Sequence, residues 1–271
     1  MKISFIGGGN MATAFIGGLL KQGFSAGDFH VVDPYAPGRE KLTREFGVAT
    51  SPAATQEALA LCDVIVMAVK PQQMREACAA VAPHLKAQLL LSIAAGIRLP
   101  DLSRWLNGYR RLIRTMPNTP ALIGAGITAM YADEAVDADG RAAAERILAA
   151  VGRAVWVAEE ALLDPVTAVS GSGPAYVFYF LEAMEKAGQE LGLPDKTVRD
   201  LALETFIGAA RLASQSPESF ATLRERVTSK GGTTAAALQV MDQHGMKNAF
   251  VEALKAASAR SREMGDELGK D

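Results

Sequence analysis

Over its first 160 residues the chain alternates short apolar runs with amphipathic stretches. Residues 2–6 predict a short buried strand, and residues 11–22 a helix closed by Gly23. Phe29–Val32 predicts a second strand, ending at Asp33-Pro34. Residues 39–46 and 55–61 predict helices, the first stopped by Gly47. Residues 64–69 form an uninterrupted β-rich run, the pattern of a strand covered on both faces. Pro71 stands where a helix starts, a position at which its missing N–H costs nothing. Residues 89–93 and 111–115 predict two more strands. This alternation points to an α/β fold with a doubly wound parallel sheet.

After residue 160 the strand signals stop and long helical periods take over, at residues 176–191, 195–214, 217–227, 234–243 and 246–268. Gly192-Leu193-Pro194 is a helix stop followed by a restart. Several of these helices are too apolar to stand in water alone. A second copy of the chain is one way to cover them and a monomeric bundle is another; a helical dimer interface is the expectation. A length of 271 residues also favours two domains. They are expected at residues 1–160, a dinucleotide-binding α/β domain, and residues 161–271, an all-α substrate-binding and dimerisation domain.

Composition narrows the function classes by exclusion. Lys and Arg number 28 against 30 Asp and Glu, so neither a basic nucleic-acid surface nor an acidic tail is present. The densest basic cluster, Arg110, Arg111 and Arg114, reads as a strand edge facing solvent. Cys62 and Cys78 lie in apolar segments and suit a reducing compartment. With His30, His84 and His244 they make no metal-ligand spacing. The glycine cluster follows Met1-Lys2-Ile3 almost at once, leaving no room for a signal peptide's apolar core, and no run reaches the roughly 18 apolar residues of a membrane span. A cytoplasmic protein is expected.

The first chemical motif is Gly7-Gly8-Gly9-Asn10-Met11-Ala12, which follows the first strand and opens the first helix. It fits G-x-G-x-x-A: Gly7 for the tight turn, Gly9 for close approach of backbone to a pyrophosphate, Ala12 for close packing of helix on sheet. The helix N-terminus supplies N–H donors and positive potential for phosphates. Asp33, ending the second strand, is placed to hold the ribose 2′-OH of NAD and to repel a 2′-phosphate. Arg39 suits either such a phosphate or solvent.

Further segments fall at the carboxyl ends of predicted strands, where open α/β sheets bind ligands: Ala68-Val69-Lys70-Pro71, Ser92-Ile93-Ala94-Ala95-Gly96 and Met116-Pro117-Asn118-Thr119-Pro120. Ala94 and Ala95 are small enough for a flat ring to approach the backbone, and Asn118 suits a carboxamide or a substrate. Ordinary turn chemistry explains each segment equally well. In the second half, Ser170-Gly171-Ser172-Gly173-Pro174-Ala175-Tyr176 fits close helix packing as well as a site. Thr228-Ser229-Lys230-Gly231-Gly232-Thr233-Thr234 offers backbone N–H groups and hydroxyls at a helix start. That is a cradle for a carboxylate, or a plain N-cap by Thr233 or Thr234.

Taken in this order, the segments resemble those of the pyrroline-5-carboxylate reductases, the last enzymes of proline biosynthesis, along essentially the whole chain. The resemblance implies an N-terminal Rossmann domain and a C-terminal helical domain that interlocks as a homodimer, in some members assembled into rings. It implies NADPH as cofactor, with NADH as the second option, and a small cyclic imine carboxylate as substrate. A hydride goes to the C=N carbon and a proton to the ring nitrogen, which asks for positioning rather than for a metal or a nucleophile. By resemblance Thr234 hydrogen-bonds the imine nitrogen, and Ser229, Gly231, Gly232 and Thr233 hold the carboxylate. Two departures stand out: many relatives carry Pro at Lys230 and several carry a small hydroxyl residue at Asp33. Competing readings are a β-hydroxyacid dehydrogenase, whose catalytic lysine would fall at Val177, a reductase of a related cyclic imine, and a nicotinamide-binding sensor without catalysis.

Overall fold

A computed structural model describes residues 1–270. The apolar runs become eight strands: β1 (Ile3–Ile6), β2 (Phe29–Val32), β3 (Ala49–Ser51), β4 (Val64–Met67), β5 (Leu89–Ser92), β6 (Leu112–Met116), β7 (Gly126–Ala132) and β8 (Gly152–Trp156). They form one sheet in the order β3-β2-β1-β4-β5-β6-β7-β8. Between them lie α1 (Asn10–Lys21), α2 (Ala36–Phe46), the single turn α3 (Gln56–Leu59), α4 (Met74–Val81), α5 (Leu99–Trp105) and α6 (Ala138–Leu148). Pro71 opens a 3₁₀ turn, Pro71–Gln73, that leads into α4.

The two-residue period explains why the central strands are apolar throughout. Ile3 and Phe5 of β1, Val64 and Val66 of β4, and Leu89 and Leu91 of β5 pack with α1 on one face of the sheet. Ile6, Ile65, Met67 and Leu90 pack with Met74, Cys78 and Leu102 of α4 and α5 on the other. With both faces covered, every side chain of β1, β4 and β5 is buried.

The expected parallel sheet has one exception. β6 and β7 pair antiparallel, with Ile113 opposite Ala132 and Met116 opposite Ala129. Only residues 117–125 join them, too few for a crossover helix of a dozen or more, so the chain doubles back. β8 then pairs parallel with β7. These two strands and the short β3 add to the five predicted from the apolar runs. Arg114 also departs from expectation. It lies in β6, inside the sheet, with a side chain only 4% exposed, so it is no solvent-facing edge residue.

After β8 come α7 (Leu163–Val166), which runs into a π-turn at Thr167–Gly171, and then α8 (Gly173–Glu190), α9 (Asp195–Gln215), α10 (Phe220–Arg226), α11 (Thr233–Gln243) and α12 (Met246–Leu268). Contacts divide the chain into one unit of residues 1–172 and 255–271 and another of residues 173–254. By contacts the first unit thus runs on to residue 172, and the end of α12 packs with it. The reason is polar: Asp164 of α7 accepts a 2.7 Å hydrogen bond from the buried Ser261 hydroxyl, and Arg98 pairs with Asp266 at 2.7 Å. The last residue of the expected second domain, Asp271, lies outside the described residues.

The helical unit builds little core of its own. α8 and α9 pack closely at Gly188, where a Cβ would stand 2.0 Å from Val198 Cγ2. Tyr176 and Phe180 meet the Phe250 ring. Among its described apolar side chains only Val198 and Ala202 are buried, whereas Phe178, Tyr179, Leu212 and Phe220 are each more than half exposed.

Candidate functional site

In the sheet unit, the carboxyl ends of β2, β1, β4, β5 and β6 lie side by side, and the predicted cofactor residues follow them. The order reverses between β1 and β4, and the glycine loop sits at that switch point, where doubly wound sheets bind nucleotides. Gly7 has φ +99°, and its N–H bonds Val32 O at 2.8 Å. A Cβ there would meet Ala68 O at 2.7 Å and Val69 Cγ1 at 3.1 Å, so both geometry and space demand glycine. Ala68 and Val69 thus form the wall beside the loop, and Lys70 and Pro71 continue from it, Lys70 exposed.

Gly9 is the N-cap of α1 and faces open space: a Cβ there would meet nothing within 4 Å. The helix has no side-chain cap and no acidic residue in its first turn, so the N–H groups of Asn10, Met11 and Ala12 are free for an anion. Asn10 is exposed and Met11 partly so, while Ala12 is fully buried and keeps α1 against the sheet.

Asp33 braces this loop. Its carboxylate accepts from the Gly8 N–H at 2.6 Å and from the Tyr35 N–H at 2.8 Å. Both oxygens are therefore engaged within the protein. Arg39 donates to the Asp33 and Pro34 carbonyls at 2.7 and 3.0 Å, which holds its guanidinium at the end of β2.

Ala94 is buried and Ala95 half-buried in the loop after β5. Asn118 is likewise used internally: its amide donates to Ser170 O at 3.2 Å and its carbonyl accepts from the Ile127 N–H at 3.0 Å. It ties the turn after β6 to β7 and to the π-turn.

Residues missed by the sequence reading stand behind this end of the sheet. Arg114 pairs with Glu160 at 3.1 Å and with Asp164 at 3.9 Å, Asp164 being 7% exposed. Glu160 also accepts the Leu99 N–H at 2.8 Å. The available signals were an arginine inside an apolar strand and two carboxylates four residues apart.

In the helical unit, residues 227–232 join α10 to α11. Gly231 has φ +73°, and the Gly232 N–H bonds Ser229 O at 3.0 Å. A Cβ on Gly232 would come within 2.5 Å of the Ser229 hydroxyl. Gly232 is the N-cap of α11, without a side-chain cap and without an acidic residue in the first turn. Neither Thr233 nor Thr234 caps the helix, so the N-cap reading of these two residues does not hold; they are its first two residues. The loop brings Ser229, Gly231, Gly232, Thr233 and Thr234 together beside unclaimed N–H groups. Thr228, by contrast, donates to Arg224 O.

Cys62 and Cys78 are unpaired and buried, and burial pushes the Cys78 thiol up to about 12. Among the described residues no cluster of His, Cys, Asp and Glu is arranged to hold a metal, and no helix is long and apolar enough to cross a membrane.

Comparison with known proteins agrees with both halves of this picture. The family described as "Pyrroline-5-carboxylate reductase dimerisation" matches residues 160–264. The family described as "NADP oxidoreductase coenzyme F420-dependent" matches residues 2–96. A pyrroline-5-carboxylate reductase of Pseudomonas aeruginosa is 46% identical over 270 residues, covering 99% of this chain and 98% of the relative. A solved pyrroline-5-carboxylate reductase from Coxiella burnetii superposes with a TM-score of 0.91 at 37% identity, over 97% of this chain and 98% of that one. A Plasmodium falciparum pyrroline carboxylate reductase solved with NADP bound gives 0.86 at 27% identity, over 98% of both chains.

Proposed function

The chain belongs to the pyrroline-5-carboxylate reductase family, and from that membership we propose how its residues divide the work of the reaction. The enzyme reduces L-1-pyrroline-5-carboxylate to L-proline with NADPH, an oxidoreductase step of proline biosynthesis. When bound, NADPH supplies the hydride to the C=N carbon. The open cradle at Gly9 and the uncapped start of α1 fit its pyrophosphate. In our reading Gly7, Gly8, Gly9, Asn10, Met11 and Ala12 form that cradle. Ala68, Val69, Lys70 and Pro71 bound it, and Ala94 and Ala95 offer a flat surface to the nicotinamide. Asp33 shapes the loop through Gly8, and Asn118 sets the turn beside it. With its carboxylate turned onto two backbone amides, Asp33 is less opposed to a 2′-phosphate than an outward-facing acid would be.

The substrate role falls on the start of α11, and the uncapped Gly232-Thr233-Thr234 helix start carries this part of the proposal. The N–H groups there, with the Ser229 and Thr233 hydroxyls and Gly231, receive the carboxylate. The Thr234 hydroxyl, in the first turn of α11, hydrogen-bonds the imine nitrogen and passes it a proton that solvent water replaces. Protonation of the nitrogen makes the C=N carbon more electrophilic, so one hydroxyl in the right place suffices.

The helical unit is the family's dimerisation region, and its exposed apolar helices are covered in a homo-oligomer. The number and spread of these side chains lead us to favour dimers gathered into a larger ring; light scattering distinguishes the two. Two unpaired buried cysteines support a cytoplasmic location.

The test is loss of absorbance at 340 nm with pyrroline-5-carboxylate and either reduced cofactor. Thr234→Ala is expected to lower kcat at least about tenfold while leaving NADPH affinity in place. Unchanged turnover removes Thr234 from the mechanism, and equal rates on a pyrroline lacking the carboxylate remove the carboxylate role of residues 229–233.

A further inference from the structure

The loop between β5 and α5, residues 93–98, is anchored in the core by the buried Ala94 and Ile97, while the backbone of residues 95–98 depends on groups from outside it. Among the described residues no backbone N–H of residues 95–98 donates a hydrogen bond. Instead the last turns of α12 lie against it. Gly96, at φ +78°, faces Leu268 and Met264, where a Cβ would stand 3.2 and 3.6 Å from their side chains. Arg98 lies on the helix at Gly265, where a Cβ would come within 2.8 Å of the guanidinium. The same guanidinium pairs with Asp266 at 2.7 Å and donates to Arg262 O at 3.0 Å, a cation set on the carbonyl end of a helix. On the far side of the loop, Glu160 takes the Leu99 N–H.

We propose that Arg98 is a positioning residue for hydride transfer, pinning loop 93–98 to the end of α12 so that Ala94 and Ala95 present a fixed surface to the nicotinamide. This inference rests on the reading of Ala94 and Ala95 as nicotinamide contacts. With no backbone N–H of residues 95–98 bonded, this part of the loop shifts when its outer fixings go, and displacement of about 1 Å at a reacting centre costs up to about 100-fold in rate. Glycine at 265 follows from the same demand, since any side chain there would push the guanidinium off the helix.

Single-turnover reduction with NADPH and its 4-deuterated form separates positioning from general stability, paired with binding of 2′-phospho-ADP-ribose, which lacks the nicotinamide. Arg98→Met is expected to slow hydride transfer about 5- to 20-fold with unchanged affinity for that fragment. Arg98→Lys restores part of the rate, because it keeps the charge beside Asp266. Asp266→Asn, at an exposed side chain that leaves the fold intact, gives a smaller loss in the same direction. Unchanged transfer rates in both Arg98→Met and Asp266→Asn overturn the proposal, as does a parallel fall in fragment affinity. Ala95→Phe tests the underlying reading: no effect on transfer refutes the nicotinamide contact, whereas an effect there with none in the Arg98 variants refutes only the role of Arg98.

Discussion

Replacing Arg114 by methionine removes the charge that two carboxylates share inside the sheet unit. Three side chains are nearly or largely withdrawn from water: Arg114 at 4%, Asp164 at 7% and Glu160 at 20% exposure. The Glu160 contact at 3.1 Å is a charged hydrogen bond, worth about 1.5–3 kcal/mol. The Asp164 contact at 3.9 Å is an ion pair without a hydrogen bond. Stripping one partner from a buried pair costs about 3–5 kcal/mol. Here the carboxylates keep other donors, the Ser261 hydroxyl on Asp164 and the Leu99 N–H on Glu160, so the lower end, about 3 kcal/mol, applies. For a unit of this size that lowers Tm by roughly 6–12 °C. Thermal unfolding at fixed protein concentration measures it, since association contributes to stability. Adding Glu160→Gln and Asp164→Asn to Arg114→Met is expected to restore at least half of the loss, because no uncompensated charge stays buried. A change under about 1 kcal/mol in the single variant, or a triple variant no better than the single, would refute the assignment of the loss to buried charge.

Gly7→Ala is expected to weaken NADPH binding at least about tenfold, through positive φ and collision with Ala68 O, and titration by nicotinamide fluorescence measures it. Asp33→Ser removes both acceptors from the Gly8 and Tyr35 amides and should shift preference towards NADPH; an unchanged ratio of the two cofactors' dissociation constants shows that Asp33 does not face the ribose. Neither native cysteine should react with a thiol reagent at pH 8 until the protein is unfolded. Cys78, held as thiol up to about 12, also contributes a stability change of defined sign. Its proton is lost first in the unfolded chain, near 9, so stability is intact below that pH and declines as pH rises from about 9 towards 12. Cys78→Ala should flatten that part of the urea-denaturation profile.

Residue types dictated by local physics were legible in the sequence. Gly7 and Gly9 answer to a turn and an open approach within a few residues, so their pattern was plain even though Ala68 adds a distant demand at Gly7. β1, β4 and β5 were equally plain, because a strand covered on both faces shows as an unbroken apolar run. β7 and β8 were not. Both open on glycine, β7 carries Thr128 and Tyr131 within it and β8 alternates half-buried with exposed positions, and the reversal at β6 depends on how few residues join two strands rather than on any residue within them. Arg114 was misread because its partners lie 46 and 50 residues further along the chain. Asn118 reads in the sequence as a ligand contact or as turn chemistry alike, and only the folded turn shows both ends of its amide spent on Ser170 and Ile127. In the helical unit, the helices were visible from their stops and starts. The identity of the N-cap at Gly232 rather than at a threonine was a matter of backbone geometry.

The reversed strand also decides where the protein can be handled without touching its chemistry. Because β7 runs against β6, its carboxyl end at Ala132 lies at the end of the sheet opposite the glycine loop. Glu134 and Ala135 in the turn that follows are exposed. With both native thiols buried, a cysteine introduced at Glu134 would be the accessible one among the described residues. It offers an attachment point for a dye or a surface tether at the end of the sheet opposite the glycine loop.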